Sequence, residues 1–176
     1  MSVVVRPFEA RDSAAVQRAV KAVYDEYGLT WDPDDYHADL FNIEAEYIND
    51  ASRFWVGEVD GDVVGCIGIV TFPTLPGEAG DVVLVDGVNR VPATDCELVR
   101  LYVHPEGRRT GLGSRLTEVV IQDARDRGCR LMELWSDKRF VDAHRLYQRY
   151  GASVVGDRIC DDPDVSPEYG LMLPIR

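Results

Sequence analysis

Cysteine and histidine are scarce and scattered in this sequence. The four cysteines are Cys66, Cys96, Cys129 and Cys160, with no C-x-x-C pair among them, and the three histidines show no ligand spacing. Secreted domains held by disulfides contain far more cysteine, and zinc sites need closely spaced ligands. We therefore predict no bound metal and a reducing, cytoplasmic environment.

Long apolar runs and positive charge are also lacking. No stretch reaches the roughly 18 apolar residues of a membrane span, and the N-terminal residues lack the basic and apolar regions of an export signal. The chain has 19 Lys and Arg against 31 Asp and Glu, a formal net charge of −12. Because nucleic-acid binding needs clustered positive charge, we predict neither a nucleic-acid nor a membrane partner.

The charge is nevertheless unevenly distributed along the chain. Residues 25–62 contain twelve acids and one Arg, whereas residues 98–151 contain eleven basic residues and seven acids. The first segment suits a cation and the second an anion. For the acidic segment, a role in solubility alone is an equally good interpretation.

Length and composition indicate one globular domain. The chain has 176 residues, of which 45% are apolar and 28% are charged. A chain of this length buries about 70% of the surface that it exposes when unfolded, so it folds without disulfides or a structural metal. We predict a single domain over residues 1–176.

Hydrophobic periodicity predicts alternating strands and helices. Asp-Gly pairs at 60–61 and 86–87 each separate two apolar runs, which predicts two antiparallel hairpins. The second hairpin lies in a Pro- and Gly-rich excursion whose place in the fold stays open. We expect helices near residues 12–27, one or two within 34–49, 111–127 and 140–150, and strands near 3–8, 54–59, 63–70, 97–103, 131–135, 154–156 and 171–175. The pattern predicts an α/β fold with a mixed sheet.

A loop between a buried strand and an amphipathic helix is suited to bind an anion. Residues 108–113 read R-R-T-G-L-G, immediately before the predicted helix. Gly111 and Gly113 allow close approach to main-chain amides at the helix N-terminus, and Arg108 and Arg109 add positive charge. Alternatively, Gly111 only permits a tight turn.

Two other nucleotide-binding motifs do not fit this loop. The G-K-[ST] ending of a Walker loop is missing, and so is the third glycine of a Rossmann fingerprint. ATP and NAD are therefore poor candidates for its ligand.

Two ordered motifs give the sequence a specific resemblance. L-V-R-L-Y-V-H-P at 98–105 precedes R-x-x-G-x-G at 108–113, and A-H-R-L-Y-Q-R-Y-G-A follows at 143–152. These motifs resemble those of the GNAT superfamily of N-acetyltransferases. The resemblance is close over residues 97–152, whereas residues 1–75 match only in the order of their elements.

The resemblance implies a fold and a cosubstrate. It implies a mostly antiparallel mixed sheet with helices on both faces, splayed where acetyl-CoA binds. Pantetheine would pair with the main chain of Leu101, Tyr102 and Val103. The residues implied to hold the pyrophosphate are Arg108, Arg109, Thr110, Gly111, Leu112, Gly113 and Ser114.

Acetyl transfer to an amine needs proton transfers, and two residues are candidates for them. Deprotonating a lysine-like amine at neutral pH costs about 4 kcal/mol, so a base helps. By resemblance Tyr147 is the general acid, although it also belongs to an apolar stripe typical of packing. Glu97 stands where some members of the superfamily carry their base, and partial burial would raise its pKa. A surface or ion-paired Glu97 is the alternative.

The function is expected to be transfer of an acetyl group to a primary amine by direct attack. No cysteine has the context of a nucleophile, and no histidine is assigned a role. Phe140 stands where many relatives carry Asn, so a non-catalytic acyl-CoA-binding or sensing module is an alternative function. The sequence leaves open whether the acceptor is a small molecule or a peptide and whether the chain is a monomer or a homodimer.

Overall fold

A computed structural model describes all 176 residues. The strands are β1 (Val3–Pro7), β2 (Ser52–Val59), β3 (Asp62–Thr71), β4 (Val83–Val85), β5 (Val88–Arg90), β6 (Cys96–Val103), β7 (Leu131–Asp137), β8 (Ser153–Ile159) and β9 (Pro167–Pro174). The helices are α1 (Ser13–Tyr27), α2 (Ile43–Tyr47), α3 (Leu112–Asp126) and α4 (Val141–Arg149), with short 3-10 helices at Ala10–Asp12, Ala38–Phe41 and Pro105–Gly107. The segment 34–49 therefore contains two short helices.

Seven strands form one mixed, mostly antiparallel sheet, as predicted. Their order is β1-β2-β3-β6-β7-β9-β8. The β1–β2, β7–β9 and β8–β9 pairs are antiparallel, whereas β6 and β7 run parallel. Where these two strands pair, the apolar residues Cys96, Leu98, Met132 and Leu134 are all buried.

The second predicted hairpin forms but does not join this sheet. The β4 and β5 strands pair only with each other, over three residues each. Leu84 is 70% exposed and Val88 is 50% exposed, so these apolar side chains of the hairpin face solvent and do not pack against the larger sheet. In both hairpins the Asp-Gly pair takes positive φ, which two-residue turns of this kind require.

The chain forms two compact units. The first comprises Met1–Ile69 and Arg100–Val120, and the second comprises Val70–Val99 and Ile121–Arg176. Helix α1 supplies part of the first core through its buried face, which comprises Val16, Ala19, Val20, Val23 and Tyr24. The second core contains the apolar side chains of β7 and β9, which are Met132, Leu134, Leu171 and Leu173. None of the helices combines the length and apolar character needed to cross a membrane.

His37 is a core residue of the first unit rather than an ordinary surface histidine. It is fully buried, and its ring stacks on that of Trp31 with a centroid separation of 4.2 Å. Its Nδ1 accepts a hydrogen bond of 3.1 Å from the Asp32 amide, and its Nε2 has no hydrogen-bond partner. Burial, with a further contribution from the charge of Arg100, lowers the pKa of His37 to about 4. The fold therefore favours the neutral imidazole.

This burial makes the stability of the protein depend on pH. Because the pKa of His37 is lower in the folded chain than its ordinary value of 6.5, its contribution is complete above pH 6.5 and is lost as the pH falls towards 4. We expect that loss to approach about 3 kcal/mol. Urea unfolding of the protein and of His37→Phe between pH 7 and 4.5 measures it: the variant should lose less stability on acidification. Parallel pH curves would contradict this assignment.

Candidate functional site

Strand β6 changes character in its middle. Its parallel pairing with β7 joins Cys96 to Met132 and ends where Leu98 meets Leu134. Two residues later, Arg100 has a φ of +54°, which is unusual for a residue with a side chain. The regular ladder thus stops just before the segment 101–103, where the motif resemblance places the main-chain site for pantetheine.

A partly buried ion pair holds the unusual backbone at Arg100. Its guanidinium donates to both carboxylate oxygens of Asp39 at 2.8 and 2.7 Å, and to the carbonyl of Tyr36 at 2.8 Å. Cys66 donates from its thiol to the Arg100 carbonyl. A residue in this region of φ costs free energy, and these contacts stabilise it.

The segment 101–103 is fixed by neighbours in the same unit. The hydroxyl oxygens of Tyr102 and Tyr24 lie 3.4 Å apart, and the carbonyl of Val103 accepts a 3.3 Å hydrogen bond from Arg108 Nε. The next residue, His104, donates from its amide to the Val64 carbonyl at 2.8 Å. These bonds give the strand and the loop that follows it a defined relative position.

The loop 108–113 has the backbone shape of an anion site. Arg109 and Gly111 take φ values of +60° and +85°, and a β-carbon built on Gly111 would meet no atom within 4 Å. Thr110 Oγ1 donates to the Gly107 carbonyl and accepts from the Leu112 amide. The Arg115 amide bonds back to the Gly111 carbonyl, so the amides of Gly111 and Gly113 precede the first such bond of α3.

The two arginines of this loop have different surroundings. Arg108 forms a two-bond ion pair with Glu26, at 2.9 and 2.5 Å, whereas Arg109 is exposed. The acidic segment therefore offsets part of the positive charge predicted for the loop. Because this pair is solvent-exposed, exchanging Glu26 for another anion costs little.

Glu97 lies in the second unit, beside a second glutamate. The parallel ladder places it next to Glu133, and about a quarter of its side chain, 24%, is exposed. Burial and the negative charge of Glu133 raise the pKa of Glu97 to about 7, while Arg90 and Arg158 oppose the rise. A carboxylate with this pKa exchanges a proton readily near neutral pH.

Arg90, the last residue of β5 in the Pro- and Gly-rich excursion, lies beside these two glutamates. Arg90 Nε lies 2.5 Å from Glu133 Oε1, and its Nη2 also contacts that carboxylate. Glu133 accepts further hydrogen bonds from the Val91 amide at 2.8 Å and from Trp135 Nε1 at 3.3 Å. Glu133 is fully buried, and the sequence interpretation missed it. The sequence does show that two predicted strands each contain a glutamate between apolar residues, in C-E-L at 96–98 and M-E-L at 132–134. The structure adds the register that pairs these two glutamates.

Tyr147 lies on α4 in the second unit and is 5% exposed. Its carbonyl accepts from the Ala152 amide at 3.1 Å, which closes the end of the helix. One turn earlier, His144 Nε2 lies 3.1 Å from Ser136 Oγ. Burial agrees with the apolar stripe seen in the sequence, and the catalytic role of Tyr147 stays a prediction.

Near Phe140, other residues supply the polar contacts. Arg139 bonds to the Asp137 carboxylate through Nε and Nη2, and its Nη2 also donates to Ser166. The Asp162 carboxylate accepts from both the amide and the hydroxyl of Ser166. The start of α4 is thereby held by side chains upstream and downstream of Phe140.

The buried thiols are poor nucleophiles. Burial raises the pKa of Cys66 to about 12 and also raises the pKa values of Cys96 and Cys129. Because the thiolate is the reactive form, these cysteines are inert near neutral pH. The Asp95 carboxylate lies within 4.8 Å of the Cys96 and Cys129 sulfurs and accepts hydrogen bonds from the amides of Arg130 and Leu131 at the start of β7.

Comparison with known sequences finds a family that spans most of the chain. The pattern of the Acetyltransferase (GNAT) family matches residues 20–152. The uncharacterised N-acetyltransferase YjgM of Escherichia coli K12 is 30% identical over 152 residues, which cover 85% of this chain and 81% of YjgM. Human N-acetyltransferase 8 is 31% identical over 121 residues, which are 67% of this chain but only 46% of that relative.

Solved structures show the same fold. A GNAT-family acetyltransferase from Staphylococcus aureus Mu50 superposes with a TM-score of 0.75 at 18% identity, covering 99% of this chain and 100% of its own. The structure of yncA from Salmonella typhimurium, which contains its cofactor acetyl-CoA, gives a TM-score of 0.71 at 19% identity and covers 100% of this chain and 95% of its own.

The start of α3 depends on close packing between Leu112 and a glycine of β2. Leu112 is 1% exposed, and a β-carbon on Gly57 would overlap its Cδ1. We expect Gly57→Ala to reduce the free energy of unfolding by about 1–3 kcal/mol through overpacking. Urea unfolding of Gly57→Ala, Leu112→Ala and the double variant tests this contact. The double variant should lose less than the sum of the single variants, and additive losses would contradict the proposed overlap.

Proposed function

Because the chain belongs to the GNAT family and is an acetyl-CoA-dependent acyltransferase, we propose that it transfers the acetyl group to a primary amine by direct attack. The observation that carries this proposal is Glu97, a partly buried carboxylate with a pKa of about 7. Such a group can accept the proton that an amine must lose. The inert buried thiols favour direct attack over an acetyl-cysteine intermediate.

The loop 108–113 would hold the pyrophosphate of acetyl-CoA. Two features support this role of the loop: the open space beside Gly111, and the amides that precede the first helical hydrogen bond of α3. The α3 dipole places roughly half a positive charge at the same end. Arg109 adds an exposed charge, and Arg108 would release Glu26 to approach the phosphates. Main-chain groups of Leu101, Tyr102 and Val103 would bind pantetheine, with Thr110, Leu112, Gly113 and Ser114 completing the loop's contact with the cofactor.

When bound, acetyl-CoA supplies an activated thioester carbonyl, and the protein handles the protons. Glu97 would accept the amine proton directly or through a water molecule. Tyr147 would donate a hydrogen bond or a proton to the departing thiolate. A phenol is suited to this role, because it stays protonated at neutral pH and holds a proton for the sulfur.

The acceptor is proposed to be a cationic small molecule or a peptide amine. The acidic segment 25–62 presents exposed carboxylates such as Asp34, Asp35 and Glu44, which attract positive charge. Among proteins of the same fold, the NatC complex was solved with a Gag peptide and CoA, at a TM-score of 0.67 and 18% identity. That likeness concerns the fold, so only acceptor profiling separates the two classes of amine.

A non-catalytic acyl-CoA-binding or sensing module is the second candidate, and it rests on Phe140 at the usual Asn position. The start of α4 keeps polar contacts through Asp137 and Arg139, which weakens this alternative. It predicts binding of CoA without turnover.

Release of free thiol from acetyl-CoA, measured across a panel of amines, tests the proposed function. We expect amine-dependent release by the protein, and Tyr147→Phe should lower kcat about 10²-fold or more, because the departing thiolate loses its proton donor. Thermal stabilisation by CoA should be the same for both proteins, which shows that the variant binds the cofactor. Tyr150→Phe, at the residue that directly follows the same helix, is the matched control and should keep its activity.

Two results would decide against parts of this account. Unchanged kcat in Tyr147→Phe removes Tyr147 from the mechanism. Stabilisation by CoA without thiol release for any amine would favour the sensing module.

A further inference from the structure

Two glutamates lie side by side in the second unit, and only one of them has a role in the proposed function. The parallel register of β6 and β7 pairs Glu97 with Glu133. Two carboxylates in such positions repel each other when both are ionised, and the charge of Glu133 helps to raise the pKa of Glu97. The groups around them determine which of the two holds the neighbouring arginine.

Hydrogen-bond donors are distributed unequally between the two carboxylates. Glu133 receives Arg90 Nε at 2.5 Å, the Val91 amide at 2.8 Å and Trp135 Nε1 at 3.3 Å, and it also contacts Arg90 Nη2. Arg90 Nη2 lies 3.9 Å from Glu97 Oε2, which is too long for a hydrogen bond. Donors of this kind favour the charged form of a carboxylate. The arrangement therefore holds Arg90 on Glu133 and leaves Glu97 without a short ion pair.

Arg90 is held in this position by more than Glu133. Its guanidinium lies over the Phe72 ring, 4.6 Å from the centroid. The hairpin that carries Arg90 is itself anchored, because the Asn89 carbonyl accepts from Arg158 Nη1 at 3.2 Å and Val82 packs on Gly156. These contacts of the Pro- and Gly-rich excursion hold the guanidinium of Arg90 next to Glu133.

The other charged groups facing Glu97 are already paired. Arg158 donates from Nε to Glu168 at 2.8 Å and lies over the Trp135 ring. Arg90, Glu133, Arg158 and Glu168 come from β5, β7, β8 and β9, and they are the charged neighbours that act on Glu97. Neither arginine is close enough to Glu97 to form a short ion pair with it.

We propose that Glu133, by holding Arg90, is a positioning residue that keeps Glu97 free to accept a proton near neutral pH. Glu133 does not touch the reacting atoms in this proposal. Without it, Arg90 would turn to the nearest remaining carboxylate and pair with Glu97, which would weaken Glu97 as a base. This inference rests on the proposed function, since it assumes that Glu97 is the base.

The test is a ¹³C NMR titration of the Glu97 carboxyl group in the whole protein, without substrates. In the unmodified protein we expect a midpoint at about pH 7. In Glu133→Gln the neighbouring negative charge is gone and Arg90 is released, so the midpoint should fall by about one pH unit or more. A purely structural Glu133 would change stability and leave the midpoint in place, and that result overturns the proposal.

Two further variants keep the test decisive if Glu133→Gln folds poorly. Arg90→Lys keeps the charge but replaces the two-nitrogen contact with one flexible ammonium that can approach Glu97, so the midpoint should again fall. Glu168→Gln removes a like charge and releases Arg158 while leaving Arg90 in place, and we expect a smaller fall because both groups act on Glu97 less strongly than Glu133 and Arg90 do. An unchanged midpoint in Arg90→Lys, or a fall in Glu168→Gln as large as that in Arg90→Lys, contradicts the role given to Arg90 and Glu133.

The titration also separates this inference from the proposed function. It reports on Glu97 whether or not an acceptor is known, while amine-dependent thiol release reports on acetyl transfer. If the midpoints move as expected and no amine is acetylated, the electrostatic inference stands and the proposed function fails. If acetylation is observed and the midpoints do not move, the inference fails alone.

Discussion

The parallel pairing of β6 with β7 places two glutamates next to each other. Other residues of the second unit supply the positive charges that compensate them. Repulsion between Glu97 and Glu133 would destabilise the ladder if neither charge were matched. Arg90 on the excursion and Arg158 on β8 bring two positive charges to the cluster, and both guanidiniums lie over aromatic rings. The excursion does not join the main sheet, and the ion pair between its Arg90 and Glu133 helps to hold it in position.

The first unit combines main-chain amides that are free at the N-terminus of α3 with a packed core beneath them. Arg100 has a positive φ within β6 and is stabilised by Asp39, and beyond β6 the chain passes through residues 108–113 into α3. Leu112 anchors the first turn of that helix against Gly57. Amides at the helix N-terminus can then face an anion, because the helix has no carbonyls to offer them.

Local patterns in the sequence predicted most of the fold. Helices α1 and α3, the Asp-Gly hairpins and the mixed sheet all follow from periodicity and turn chemistry within short windows. The motifs at 98–113 and 143–152 identified the family, which the comparisons confirm. The location of the β4–β5 hairpin could not be predicted, since only contacts with residues far along the chain fix it.

The same limit applies to the candidate site. Glu97 could be singled out by its place in a motif, but its pKa depends on Glu133, Arg90 and Arg158, which are separated from it by up to sixty-one residues in sequence. The burial of His37 could not be predicted either, because nothing in its local sequence indicates that Trp31 and Tyr24 enclose its ring. Burial of a titratable group is a property of tertiary packing, and single-sequence patterns carry little of it.

The most direct test of Glu97 as the base is the pH dependence of kcat/KM for acetylation, calculated on the unprotonated amine. A base with a pKa of about 7 must be ionised to act, so kcat/KM should rise with pH through about 7 in the unmodified protein. Glu97→Gln should be much slower and should lack this ionisation. A Glu97→Gln variant that keeps both the rate and the pH profile would contradict the account.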